Sequence, residues 1–127
     1  MNFIVETATP QRIVGRLRDG TLETEVSAWG TERAVQLLVT ALETARDDGY
    51  GECFWPEMTG QYWWMCRREG SRLEVVVLWS SGAGTGWQHV YRATDEIEYF
   101  IDCVLEQLAM HGLFPLPVKA PGNPAEN

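Results

Sequence analysis

The chain has 127 residues, 45% of them hydrophobic, and a formal net charge of −8. That length suits one compact domain able to bury about two-thirds of the surface its unfolded form exposes. The charge, with no basic stripe to offset it, repels nucleic acid and anionic membrane, so neither is an expected partner. The three cysteines, Cys53, Cys66 and Cys103, have no CxxC spacing, which argues against a disulfide framework or a zinc ribbon and for a reducing compartment. No run approaches the roughly 18 apolar residues of a membrane span, and MNFIVET lacks a basic segment leading into an apolar one. The expected location is the cytoplasm. Nine Arg against one Lys is the usage of a GC-rich genome, and an acidic balance is common among soluble bacterial proteins.

In chain order, Phe3 to Glu6 is a strand candidate closed by the Thr9-Pro10 break. A hairpin comes next. With Asp19-Gly20 as its turn, Leu17 faces Leu22, Gly15 faces Thr24 and Ile13 faces Val26 on a core side, while Arg16 faces Glu23 and Arg12 faces Ser27 on a solvent side. Thr31 to Asp47 then carries Ala34, Leu38, Ala41, Leu42 and Ala45 at helical spacing, with Gly30-Thr31 as the start and Gly49 as the stop. Gly51 to Trp55 reads as a strand ended by Pro56.

The stretch Gln61 to Trp79 reads as a second hairpin, turning at Glu69-Gly70 with Arg68 opposite Ser71. Side chains alternate across a strand, so Tyr62, Trp64, Cys66, Leu73, Val75, Val77 and Trp79 share an apolar core face. The other face sets Arg67 beside Arg72, Met65 beside Glu74, Trp63 beside Val76 and Gln61 beside Leu78. A solvent face of an antiparallel sheet is normally polar, so Trp63, Met65, Val76 and Leu78 form an apolar half-face that requires cover. Either a second layer of the same fold supplies it, or a partner or second copy does, since Trp and Met are enriched in interface cores.

Ser80 to Gly86 is a loop and Gly86 to Arg92 a further strand, after which Thr94 is placed as the cap of a second helix with Asp95 and Glu96 at its positive end. Its apolar positions are Ile97, Ile101, Val104, Leu105 and Leu108, with Gly112 as the stop. This pattern repeats the first helix 63 residues later, which raises a duplicated hairpin-plus-helix unit. The domain therefore covers 1–114, with a Pro-rich tail over 115–127. The expected class is α+β: a mainly antiparallel twisted sheet of about six or seven strands with two helices packed on one face.

No catalytic set, metal site or cofactor motif is legible. SSGAGTG has the glycine content of a phosphate cradle, but the adjoining GWQHVYR reads as a strand and not as the helix such a loop must open. Cys66 falls on the core face, Cys53 has no adjacent base, and Cys103 lies among Glu98, Asp102 and Glu106, whose charge disfavours a thiolate. His89 and His111 have no ligand spacing around them. Glu98, Asp102 and Glu106 line the outer side of the second helix, either as a solvated face or as a strip that steers a basic partner. Toxin-immunity proteins and secretion chaperones share this size and charge, but no diagnostic motif of either is present. The reading is a non-catalytic protein-binding or accessory module of immunity, inhibitor or chaperone kind, with a homodimer through the aromatic hairpin as one form of it. The alternative is a small-molecule-binding protein or enzyme whose pocket is built from Trp55, Trp63, Trp79 and Trp87.

Overall fold

In the computed structural model, which describes residues 1–82, 84 and 86–114, a β-meander is followed by a helix twice over. The first unit is β1 (Asn2–Ala8), β2 (Arg12–Asp19), β3 (Leu22–Trp29) and α1 (Thr31–Asp48). The second is β4 (Tyr50–Glu57), β5 (Gly60–Glu69), β6 (Arg72–Ser80), β7 (Gln88–Glu96) and α2 (Ile97–Met110). The tail expected over 115–127 lies outside the described residues. The fold class is the expected one, α+β with seven antiparallel strands and two helices, and the strands divide into two sheets, ordered β1-β2-β3 and β4-β5-β6-β7.

Both long hairpins turn one residue later than their sequence suggests. The closing pairs are Asp19↔Leu22 and Glu69↔Arg72, so the two-residue loops are Gly20-Thr21 and Gly70-Ser71. Each glycine takes the first loop position with φ near 62°, the positive φ that a tight two-residue hairpin loop needs there. Every cross-strand partner consequently slips by two: Trp63 pairs with Leu78, Met65 with Val76 and Arg67 with Glu74. A slip of two is one full pleat, so the division of residues between faces is unchanged.

Two further boundaries differ from the sequence expectation. Pro56 lies inside β4 and does not end it, because β4 is an edge strand and the missing N–H falls on its unpaired side. Thr94, Asp95 and Glu96 pair along β6 and belong to β7, so the ladder takes the residues read as a helix cap, and α2 begins at Ile97. The 63-residue recurrence thus holds at the helix ends, where Gly49 and Gly112 both have positive φ, but Thr31 opens α1 whereas Thr94 is in a strand.

One hydrophobic core joins the two sheets and both helices. α1 lies over β4, so closely that a Cβ on Gly51 would fall against the Ala41 carbonyl. Fully buried Trp55 donates its Nε1–H to the Ala34 carbonyl at 3.1 Å and packs on Trp64 at 5.0 Å, while Phe3 of β1 meets Trp64 edge-on at 6.2 Å. α2 buries Phe100, Ile101, Val104 and Leu108 and covers the free edge of β1, where Gln107 Oε1 accepts the Val5 N–H at 2.9 Å. A side-chain amide here takes the place of a neighbouring strand. Arg12 ties the sheets together through a 2.9 Å ion pair with Glu57.

Candidate partner-binding face of the four-stranded sheet

The core side of β4–β7 is spoken for; the other side presents a second apolar surface. Alternation puts Tyr50, Glu52, Phe54 and Pro56 of β4 on that outer face together with Trp63 and Met65 of β5 and Val76 and Leu78 of β6. Trp87, from the β6–β7 connection, folds onto the same surface. Its ring lies 5.2 Å from Trp63 and 6.2 Å from Phe54, and Phe54 stacks on Trp63 at 5.4 Å. Sequence alone does not recruit Phe54 or Tyr50, because nothing in β4 by itself fixes its register against β5. Trp87 is grouped with Trp63 by the sequence only in the alternative pocket and on a strand over Gly86 to Arg92, whereas it lies in the connection just before β7.

Polar groups frame the cluster on both sides. Glu52 Oε1 accepts from Trp63 Nε1 at 2.9 Å and from the Tyr50 hydroxyl at 3.0 Å. Burial, helped by that bond to a carboxylate, pushes the Tyr50 phenol up to about 12. Along the sheet, Glu74 bridges Arg92 at 2.7 Å and Arg67 at 3.1 Å. The Arg92 hydrogen bond, outweighing a desolvation penalty and assisted by Arg67, holds the Glu74 carboxyl below its ordinary range. The aromatic surface between these groups is open to solvent: Tyr50, Phe54 and Trp87 are 43%, 41% and 40% exposed. Trp63, Met65 and Val76 are half-buried, and Leu78 is buried.

The face runs into the outer edge of β4, with which no other strand pairs among the described residues. Arg68 N–H bonds the Gly49 carbonyl at 2.9 Å, which sets the phase of the β4–β5 ladder: Gly51, Cys53 and Trp55 exchange bonds with β5. The backbone N–H and C=O groups of Tyr50, Glu52 and Phe54 therefore point away from the sheet, as does the Pro56 carbonyl. A cleft of about 490 Å³ lies along this edge between Phe54 and Pro56 on one wall and Trp29, Arg33 and Leu37 on the other.

The expected half-face of Trp63, Met65, Val76 and Leu78 is thus assembled, and it is partly roofed from within by Trp87. The four tryptophans of the alternative pocket are not brought together. Trp55 is in the core, Trp79 packs on Tyr62 at 4.6 Å on the core side, and only Trp63 and Trp87 meet. Parity is the reason: Trp55 pairs with Tyr62, so it points opposite to Trp63. Glu98, Asp102 and Glu106 are exposed along α2, and among the described residues no hydrogen bond, ion pair or ring contact joins them to the aromatic face. Cys53 and Cys66 are buried, and desolvation pushes the Cys66 thiol up to about 12; Cys103 is half-buried beside the Phe3 carbonyl. Among the described residues no three His, Cys, Asp or Glu side chains converge as metal ligands, and no helix is long and apolar enough to cross a membrane.

Comparison with family models, with curated proteins and with solved structures returned no match.

Proposed function

We propose that the chain is a non-catalytic protein-binding module and that it binds through the outer face of its four-stranded sheet. The observation that carries this is the Phe54–Trp63–Trp87 cluster, extended by Tyr50, Met65 and Val76, on a sheet face that neither helix covers. A contiguous aromatic surface framed by Glu52, Glu74, Arg67 and Arg92 has the make-up of an interface core with a polar rim. The small-molecule alternative loses its support once Trp55 and Trp79 face the core side. A net charge of −8 favours a partner with basic groups, and the exposed Glu98, Asp102 and Glu106 steer it at longer range. An inhibitor, immunity or chaperone-like role fits this chemistry.

The test is capture from a lysate of the cells that make the protein, with wild type and Trp63→Ala compared at matched folded concentration. A partner held by wild type and released by the variant supports the reading. Partners held equally by both, with the aromatic face buried in neither, contradict it.

A further inference from the structure

The free edge of β4 narrows what kind of partner segment this face takes. Resting on the reading above, we infer that the occupant is an extended strand of a partner protein, hydrogen-bonded to β4 as a fifth strand of the sheet. Three features of one strand point to it. The Tyr50, Glu52 and Phe54 backbone groups face outward in the alternating donor and acceptor pattern that only another strand matches. The edge is flanked on both sides: a strand lying there projects alternate side chains onto the Phe54–Trp63–Trp87 surface and into the cleft beside Trp29, Arg33 and Leu37. In the three-stranded sheet the β1 edge is closed by Gln107, whereas among the described residues no helix side chain bonds the backbone of Glu52 or Phe54.

The same strand argues against a second copy as the occupant. Two-fold pairing of β4 with itself either sets a Pro56 in the ladder from each side or, when centred on Glu52, brings the two Glu52 carboxylates directly opposite one another, and it joins two chains that each carry −8. A partner strand meets Pro56 once and brings its own charge. Its chemistry is set by the neighbours: a Lys or Arg opposite Glu52, an aromatic or β-branched residue opposite Phe54, and apolar side chains at the intervening positions, which enter the cleft against Leu37 and Trp29.

A display library of short random linear peptides, selected on the intact protein, supplies the probe. Enriched peptides should alternate in the stated way. N-methylation of an amide that faces β4 should weaken binding roughly tenfold for each bond removed, while methylation of the adjacent amide should not. If enriched peptides are lost with Trp63→Ala yet ignore which amide is methylated, the face binds and the strand-addition mode is wrong. Failure to enrich any peptide overturns the inference. So does sedimentation of the free protein as a dimer that Phe54→Ser dissociates, which would give the edge to a second copy.

Discussion

Trp63 and Trp64 are adjacent in sequence, identical in chemistry and on opposite faces of one strand, so truncating each to Ala reads out whether the outer face is open. Trp63→Ala removes the stack on Phe54, the edge contact with Trp87 and the hydrogen bond to Glu52. Aromatic pairs of this kind contribute about 0.5 to 1.5 kcal/mol each, and the solvent-exposed hydrogen bond to Glu52 is exchanged for one to water at little net cost. Water can enter the space left behind, so no cavity cost is added, and the loss should be about 1 to 3 kcal/mol. Trp64 is fully buried between Phe3 and Trp55, and its truncation leaves a closed void, a change that costs about 3 to 5 kcal/mol. The two variants should differ by about 2 kcal/mol, or roughly 8 °C in Tm for a domain of this size. Urea titration monitored by far-UV circular dichroism measures both without relying on tryptophan emission. Equal losses for the two variants would mean that the outer face is as well covered as the core, and the argument for a partner surface would fail.

Other consequences of the structure are independent of any partner. Gly51→Ala drives a methyl group into the Ala41 carbonyl, backbone against backbone, so it should cost at least 2 to 3 kcal/mol, about the penalty of overpacking a core, measured by the same titration. A native protein treated with an aromatic disulfide reagent should modify Cys103 alone, with Cys53 and Cys66 reacting only on unfolding; two fast thiols would contradict the packing of β4 on β5. Glu74, Glu6 and Glu57 are all held below their ordinary value of 4.5. Each therefore contributes stability that is present above that value and is lost as pH falls through the folded-state value, so the protein should weaken on the acid side. Glu74→Gln should flatten that acid limb while leaving the slope near pH 7 unchanged, and an unaltered limb would rule out a stabilising role for the Arg67–Glu74–Arg92 bridge.

Most of the fold was legible because its signals are local. Alternation in Tyr62 to Cys66 and Leu73 to Val77 assigns the faces correctly even though the turn falls one residue later than the sequence suggests, since a slip of two residues preserves parity. Helical spacing from Ala34 to Ala45 and the glycine at 49 located α1 to within a residue. What stayed hidden depends on distant pairing. Pro56 reads as a terminator unless the strand is known to be an edge, and Thr94 reads as a cap unless Glu74 is known to lie opposite it. The candidate face was half legible for the same reason: Trp63, Met65, Val76 and Leu78 share a hairpin, whereas Phe54, Tyr50 and Trp87 join them only through the β4–β5 register and a loop. The division into two sheets has no sequence signature at all.

Strand addition requires that the β4 edge and the face beside it be unoccupied in the free protein. Residue-resolved amide hydrogen exchange measures this directly. The Cys53 and Trp55 amides, bonded to β5, should be protected, while those of Glu52 and Phe54, which alternate with them, should exchange close to the rate of an unstructured chain. Uniform protection along Glu52 to Trp55 would show that another strand already holds the edge, and the proposed binding surface would not exist as an open one.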